Sequence, residues 1–405
     1  MEKKQNVPAL RFQEFSDEWE KKILGDFGSV AMNRRIFKGQ TSETGEIPFY
    51  KIGTFGKEPD AYISRQLFEE YKAKYPYPNV GDILLSAAGS IGKTVEYTGK
   101  DEYFQDSNIV WLKHDEHLDN PFLKYFYSKV KWGTLEGGTI KRLYNKILLE
   151  TEIILPGIIE QKKVGNFFVS YDRMLIHQEK KFQKLQQFRQ AMLAKLFPRE
   201  GAAEPELRFC GFSGKWHYCR FGDIASIRRG LTYSPSNLRK SGIRVLRSSN
   251  IQEDTFCVRE DDVFVEPDAI NIPMVKNGDI LITAASGSTQ LVGKHAVIDG
   301  IKGNTVVHGG FMLLASSDYP DFTNALMGAS WYRRFIQQFV AGGNGAIGNL
   351  NKSDLEEQTV VIPDITEIKQ IGNFFKELDR YIFFQQKKLE RMQRLKAALL
   401  EKMFV

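Results

Sequence analysis

Gly89-Ser-Ile-Gly92-Lys93-Thr94 has the ending of a phosphate-binding loop, where glycine backbone and a lysine cradle phosphates and a hydroxyl meets magnesium. Ala87, however, stands where the first glycine belongs. The later Gly293-Lys294-His295 has Ser288 in that place and no hydroxyl after the lysine. Neither stretch keeps the cradle and the magnesium hydroxyl together, which argues against nucleotide hydrolysis. Asp119-Asn-Pro-Phe122 resembles the Asn-Pro-Pro-Tyr/Phe arrangement used in adenine methyl transfer. The second proline is missing, and no Gly-rich strand-to-helix loop for S-adenosylmethionine precedes it, so it reads as a helix start. His114-Asp-Glu-His117 offers two metal ligands with no third signalled and no copy later in the chain, and reads as a solvated loop. No Ser/His/Asp or Cys/His arrangement stands out. The chain reads as catalytically empty.

Binding chemistry is better represented. Asn33-Arg34-Arg35, with Lys38 and Lys51 beyond, forms one basic and polar cluster. Arg228-Arg229, Tyr233, Arg239, Arg244 and Arg247-Ser248-Ser249-Asn250 form another. Arginine forks and asparagine amides read guanine and adenine edges bidentately, and lysines position phosphates. Lys93, Lys141-Arg142, Lys294, Asn344 and Asn349 lie on glycine-containing loops, where backbone can approach a phosphate closely. Each alone reads as an ordinary solvated side chain. As two clusters at matching places they favour DNA contact.

The two places match because the chain repeats itself after about 197 residues. Pro8-Ala-Leu-Arg-Phe12, Trp19 and Gly25-Asp26 return as Pro205-Glu-Leu-Arg-Phe209, Trp216 and Gly222-Asp223. Gly81-Asp-Ile-Leu returns as Gly278-Asp-Ile-Leu, and Gly165-Asn-Phe-Phe168 as Gly372-Asn-Phe-Phe375. A repeat this long has residues enough for its own core. Short β-rich runs are expected at 47–52, 83–86, 94–97, 109–112 and 152–156, and in the second half at 244–247, 280–283, 295–298, 311–314 and 359–363. A helix opens at Pro121, and another is expected around Ala325–Phe339, with Gly-rich loops at 137–138 and 342–345.

Each half then changes character. Val164, Phe168, Tyr171, Leu175, Gln178, Phe182, Leu185 and Met192 alternate at spacings of four and three, with one lapse at Arg189. Ile371, Phe375, Leu378, Ile382, Gln385, Leu389, Met392 and Leu399 do the same, lapsing at Lys396. This is a coiled-coil seam, and the matching glutamines, Gln178 and Gln385, suit a register-fixing role. The pairing residues are therefore Phe168, Tyr171, Leu175, Gln178, Phe182 and Leu185 against Phe375, Leu378, Ile382, Gln385, Leu389 and Met392. The fold class expected is α+β: two tandem mixed α/β modules, each followed by a long helix, the two helices pairing with each other as a coiled coil. The boundaries are 1–157 and 200–363 for the modules, and 158–199 and 364–405 for the helices.

Composition is ordinary, with 42% hydrophobic and 26% charged residues, and three cysteines with no Cys-x-x-Cys pair, which fits a reducing cytoplasm. No apolar run suggests a membrane span or a signal peptide. The net charge of +6 is concentrated on the helices: residues 160–200 hold nine Lys/Arg against four Asp/Glu, and 364–405 nine against six. The modules are near neutral, so DNA contact by them must come from local patches.

The whole arrangement resembles the specificity subunit of a type I restriction–modification system. The resemblance rests on Leu155-Pro156, Glu160-Gln161 and Asp172 leading into the heptads, their repeat as Ile362-Pro363, Glu367 and Asp379, and the two Gly-Asp-Ile-Leu strands. It implies a non-catalytic reader with two target-recognition domains, each recognising half of a bipartite, gapped double-stranded target, and long helices that pair as an antiparallel coiled coil and act as a spacer. It implies two modification subunits that methylate adenine with S-adenosylmethionine, and restriction subunits that use ATP and magnesium where they join. No individual base-reading residue is carried over. Two other readings stay open: a self-contained methyltransferase or nuclease with fused recognition domains, and a two-headed DNA-binding repressor.

Overall fold

The computed structural model describes residues 6–132, 142–252, 254–303, 305–340 and 349–405, with residues 289, 339 and 340 in backbone alone. It divides into two compact units: residues 1–178 with 389–405, and residues 179–388. Each unit therefore holds one module together with a stretch of each long helix. The long helices are Ile158–Leu196 and Ile365–Met403, 39 residues each.

In the first unit a four-stranded antiparallel sheet runs in the order Gly28–Ala31, Ile109–His114, Ile83–Ser86, Thr94–Glu96. Beside it lies a three-stranded sheet in which Ile47–Tyr50 pairs antiparallel with Tyr62–Ile63 and parallel with Tyr103–Phe104. A ribbon of Glu20–Ile23 and Glu152–Leu155 leads into the long helix. The second unit repeats this plan. Its main sheet is Ser226–Arg229, Met312–Ser316, Ile280–Thr283, His295–Val297, its parallel pair is Ile243–Leu246 with Val306–His308, and its ribbon is His217–Arg220 with Thr359–Ile362. The register is shared as well: Leu84 faces Trp111 as Leu281 faces Leu314.

The repeated Gly-Asp-Ile-Leu explains the central strand. Gly81 and Gly278 sit at φ +94° and +93°, a conformation that suits glycine. The following Asp82 and Asp279 carboxylates accept the N–H of Asn79 and of Lys276, each at 2.8 Å, closing the turn. Ile83–Ser86 and Ile280–Thr283 are then buried along their whole length. The repeated Gly-Asn-Phe-Phe fits the long helix to the module. A Cβ on Gly165 would lie 2.7 Å from the Phe122 nitrogen, and one on Gly372 3.0 Å from that of Phe322. Only a glycine lets the backbones approach so closely.

An aromatic knot closes each unit. Trp19 packs edge-on against Phe122 and Phe404, and Trp216 packs edge-on against Phe197. The Leu10 N–H donates to the Lys402 carbonyl (2.8 Å), as the Leu207 N–H donates to that of Lys195 (2.9 Å). Arg11 grips the Glu160 carboxylate with two bonds of 2.7 Å, and Arg208 grips Glu367 with bonds of 2.8 and 2.7 Å. The repeated Pro-x-Leu-Arg-Phe segment thus ties the end of one long helix to the start of the other. Bidentate pairs this well shielded are worth more than surface ion pairs.

One expected element differs. The single helix expected around Ala325–Phe339 is two helices, Pro320–Met327 and Ser330–Val340. The break falls at Gly328, whose site is pressed against Leu193 of the long helix. The polar strands Glu20–Ile23, Gly28–Ala31, His217–Arg220 and Ser226–Arg229 were not signalled by hydrophobic pattern.

Candidate nucleic-acid interface

The strand registers bring the basic clusters to one end of each module. In the first unit, Gly28–Ala31 ends opposite the start of Ile109–His114, and Ile83–Ser86 ends at the same place. The Ile47–Tyr50 strand finishes beside Phe104. Asn33-Arg34-Arg35, Lys51, the loop Ala87–Lys93 and Arg142 therefore meet at this edge.

The turn Gln105-Asp-Ser-Asn108 is their hub. Gln105 accepts the Ile52 N–H (2.9 Å), Asp106 accepts from Arg35 (2.9 Å), the Ser107 carbonyl accepts from Arg142 (3.0 Å), and the Asn108 carbonyl accepts the Ala87 N–H (2.7 Å). Arg34 lies over the Tyr75 ring at 5.2 Å, and Lys51 pairs with Asp60 at 2.9 Å. Lys93 donates to the Phe55 carbonyl. Arg34, Arg35, Lys38 and Lys93 remain exposed. Asn33 is different: it is 2% exposed, and neither amide atom has a hydrogen-bond partner among the described residues. That amide is not presented to a groove.

The second unit brings Arg229, the segment after Leu246, the loop after Thr283, Gly309-Gly310-Phe311 and Asn349 to the equivalent end. Its arginines are mostly paired within the protein, although Arg239 is itself exposed. Arg228 reaches the buried Asp279 (3.2 Å), Arg239 pairs with Glu266, and Arg244 pairs with Asp262 while lying 4.8 Å over Phe264. Arg247 donates to the Asp261 carbonyl (3.3 Å). Asn250 is fully buried, donating to Asp262 and to the Cys257 carbonyl. Ser248 opens the short 3-10 turn that carries Asn250, and Tyr233 packs beside the Ile243, Val245 and Val307 cluster. Lys294 is half-buried at a cavity shared with Arg333 and Gln190. Arg229 and Asn349 are exposed. Lys141 and Asn344 lie outside the described residues.

Burial holds His308, at the end of its strand, in the neutral form: its pKa is pushed down to about 4. Its Nδ1 has no hydrogen-bond partner among the described residues.

The seam residues fall into two groups. Phe168 and Phe375 are buried in the module cores, while Tyr171 donates from its hydroxyl to the Met392 carbonyl of the other helix (2.9 Å). Gln178 and Leu389 are buried, and Leu175, Phe182, Leu185, Leu378, Ile382, Gln385 and Met392 are half-buried. The two lapses are the informative positions. Lys396 pairs with Asp172 at 2.5 Å in the first unit, and Arg189 grips Asp379 in the second. These equivalent pairs align the two helices antiparallel within each unit. A count of apolar heptad positions passes over them. Met174, Ile176 and Leu395 in one unit, and Phe188, Tyr381 and Phe384 in the other, leave apolar surface exposed on the helices.

Among the described residues no cluster of three or more His, Cys, Asp or Glu could hold a metal ion, and no helix is long and apolar enough to cross a membrane. His114 accepts its place in a helix-start network with Asn120, and Asp119 caps the helix Asn120–Lys129.

The family model for the type I restriction modification DNA specificity domain matches residues 16–187 and again 213–394. The chain belongs to this family. It carries two specificity domains in tandem, as a type I restriction–modification specificity subunit does. A putative type I restriction enzyme specificity subunit of Haemophilus influenzae is 54% identical over 160 residues, 39% of this chain and 42% of that protein. The putative MjaX specificity subunit of Methanocaldococcus jannaschii is 22% identical over 431 residues, covering 98% of this chain and 95% of its own length. The crystal structure of the type I restriction–modification S subunit from M. genitalium shares the fold, with a TM-score of 0.65 at 16% identity over 98% of this chain and 99% of that one.

Proposed function

We propose that the chain is a non-catalytic DNA reader in which the loop end of each specificity domain recognises one half of a bipartite, gapped duplex target. The observation that carries this reading is the convergence, in two units of one topology, of the divergent polar loops on the same end of the same sheets. Arg34, Arg35 and Lys38 supply that end in the first domain, and Arg229, Ser288 and Asn349 in the second. Side chains of these kinds position phosphates and read base edges.

The long helices set the gap between the half-sites. Asp172–Lys396 and Asp379–Arg189 hold them in antiparallel register. The exposed apolar residues Met174, Ile176, Leu395, Phe188, Tyr381 and Phe384 supply docking surface for two modification subunits. Those subunits bring S-adenosylmethionine and methylate adenine. Restriction subunits, where they join, bring ATP and magnesium. The complex works in the cytoplasm.

Methylome sequencing of cells carrying the intact system tests this. A matched heptad inserted in both helices adds about 10 Å, and at about 3.4 Å per base pair the gap lengthens by about three. The half-sites stay the same. A changed half-site with an unchanged gap would sink the ruler. Exchanging residues 1–157 for another reader should change one half-site alone.

A further inference from the structure

Four phenylalanines among the described residues are largely exposed: Phe37, Phe188, Phe311 and Phe384. The two on the long helices have company. Phe188 packs edge-on against Phe374, and Phe384 lies under Arg380. Phe37 and Phe311 make no ring contact or cation contact with the described residues, and they are 61% and 75% exposed. Each domain contributes one of them: Phe311 in the turn at its loop end, and Phe37 two residues after Arg35, which pairs with Asp106 of the first domain's hub turn.

Both rings stand on fixed backbone. The Phe311 carbonyl accepts the N–H groups of Ala284 (2.9 Å) and Ala285 (3.0 Å), and the Met312 N–H closes the turn onto Gly309 (2.8 Å). Phe37 heads a short 3-10 turn. Its N–H donates to the Gln40 side chain and its carbonyl accepts the Gln40 N–H, each at 2.9 Å. A rigid, unpacked phenyl group is preorganised for an outside partner.

The surroundings choose the partner. Phe37 lies between Arg35 and Lys38, both exposed, with Arg34 one step further. Phe311 follows Gly310, which faces Thr232, and its backbone holds Ala284 and Ala285, which lead into Ser286-Gly-Ser288. Ala285 pairs with Asn349, while Arg229 faces Leu313 two residues along the strand. Small hydroxyls, an amide and cations around one aromatic ring suit a polyanion that also offers flat apolar faces. An apolar protein surface would ask for a wider apolar patch. Exposed apolar residues elsewhere lack this setting. Val80 sits at the opposite end of the same central strand, before Ile83.

We propose that Phe37 and Phe311 are specificity-determining wedges, one per domain, that stack on or between the bases of their half-sites. The proposal rests on the DNA-reading function proposed above. Such side chains partly unstack a base step and bend the duplex, which selects for deformable steps such as TA and CA. The structure thus separates two modes of readout at one loop end: charged forks along the groove, and a ring against the stack.

The test uses the full chain assembled with its modification subunits, and duplexes bearing its methylation target with 2-aminopurine placed at successive positions of each half-site. The expected result is a fluorescence increase at one step per half-site on binding. F311A should abolish that increase in one half-site alone and weaken binding about tenfold or more, as loss of one base–aromatic stack does. F37A should do the same in the other half-site, while F311W and F37W retain the signal. Unchanged affinity and fluorescence in F311A and F37A, with binding still weakened in R229A and R34A, would overturn the wedges and leave the reading function standing. Loss of modification-subunit assembly in either variant would also overturn them, by giving the ring to a protein partner. No specific duplex binding by the unsubstituted complex would remove the reading function itself.

Discussion

The two specificity domains differ where they share least architecture. In the first, the turn Gln105–Asn108 braces Arg35 and Arg142 from outside and leaves several cations exposed. In the second, the turn at the same place is Gly309-Gly310-Phe311, and Arg228, Arg239 and Arg244 are held by Asp279, Glu266 and Asp262. The frame underneath is common down to the register of the central strands. Between the two copies the folding frame is kept, and the loop end is where they differ.

If the frame is one design used twice, removing its keystone should cost both domains alike. Phe404 closes the first aromatic knot against Trp19, Phe122 and Phe168, and Phe197 closes the second against Trp216, Phe322 and Phe375. Both rings are about 95% buried or more. Phe404→Ala and Phe197→Ala should each destabilise its own unit by about 3–5 kcal/mol. Hydrogen exchange resolved by segment is the measurement. A loss confined to one variant would show that the second copy is stabilised differently.

Acid should separate the domains. The second unit buries His308 and His295, both with pKa values lowered by burial. An imidazole depressed in the folded state is protonated more readily in the unfolded chain. Folding stability is therefore intact above about pH 6.5 and falls as pH drops toward the folded value of about 4. His308 alone should remove about 2 kcal/mol by pH 5. In the first unit burial raises the pKa of Asp119 and Glu102, which shifts stability the opposite way. Segment-resolved exchange at pH 7 and pH 5 should show the second unit opening first. The reverse order would contradict the neutral burial of His308.

Much of this was legible beforehand, and the gaps have physical causes. The Gly-Asp-Ile-Leu strands and the paired long helices follow from local turn chemistry and from a heptad period, and the antiparallel sense of that pairing from the family resemblance. The strands Glu20–Ile23 and His217–Arg220 carry almost no apolar signal, because each is an exposed half of a two-stranded ribbon. Arg189 and Lys396 looked like lapses in a seam because their partners, Asp379 and Asp172, are about 190 to 220 residues away along the chain. The sorting of arginines was hidden for the same reason: Arg228 meets an acid 51 residues on, and Arg244 one 18 residues on. Charge in a sequence says that an arginine exists, not which carboxylate has already claimed it. Phe37 and Phe311 carried a readable signal, an aromatic ring inside a basic run and one after Gly-Gly, which a search for charged readers overlooks.

The smallest expected effect is the most specific to the comparison. A cation that touches phosphate releases a counterion, so its loss lowers the slope of log affinity against log salt by about 0.9. Arg34→Ala and Lys38→Ala should each remove about that much from the complex on its duplex target. In the second domain Arg229→Ala should behave likewise. Arg244→Ala should leave the salt slope unchanged, because its fork is spent on Asp262, and should instead destabilise the second unit by about 1–3 kcal/mol by leaving a buried carboxylate short of a partner. Titrations at several salt concentrations, paired with denaturant unfolding of the same variants, give both numbers. A reduced slope in Arg244→Ala with unchanged stability would return that arginine to the DNA and erase the contrast between the displayed Arg34 and Lys38 of the first domain and the carboxylate-held Arg244 of the second.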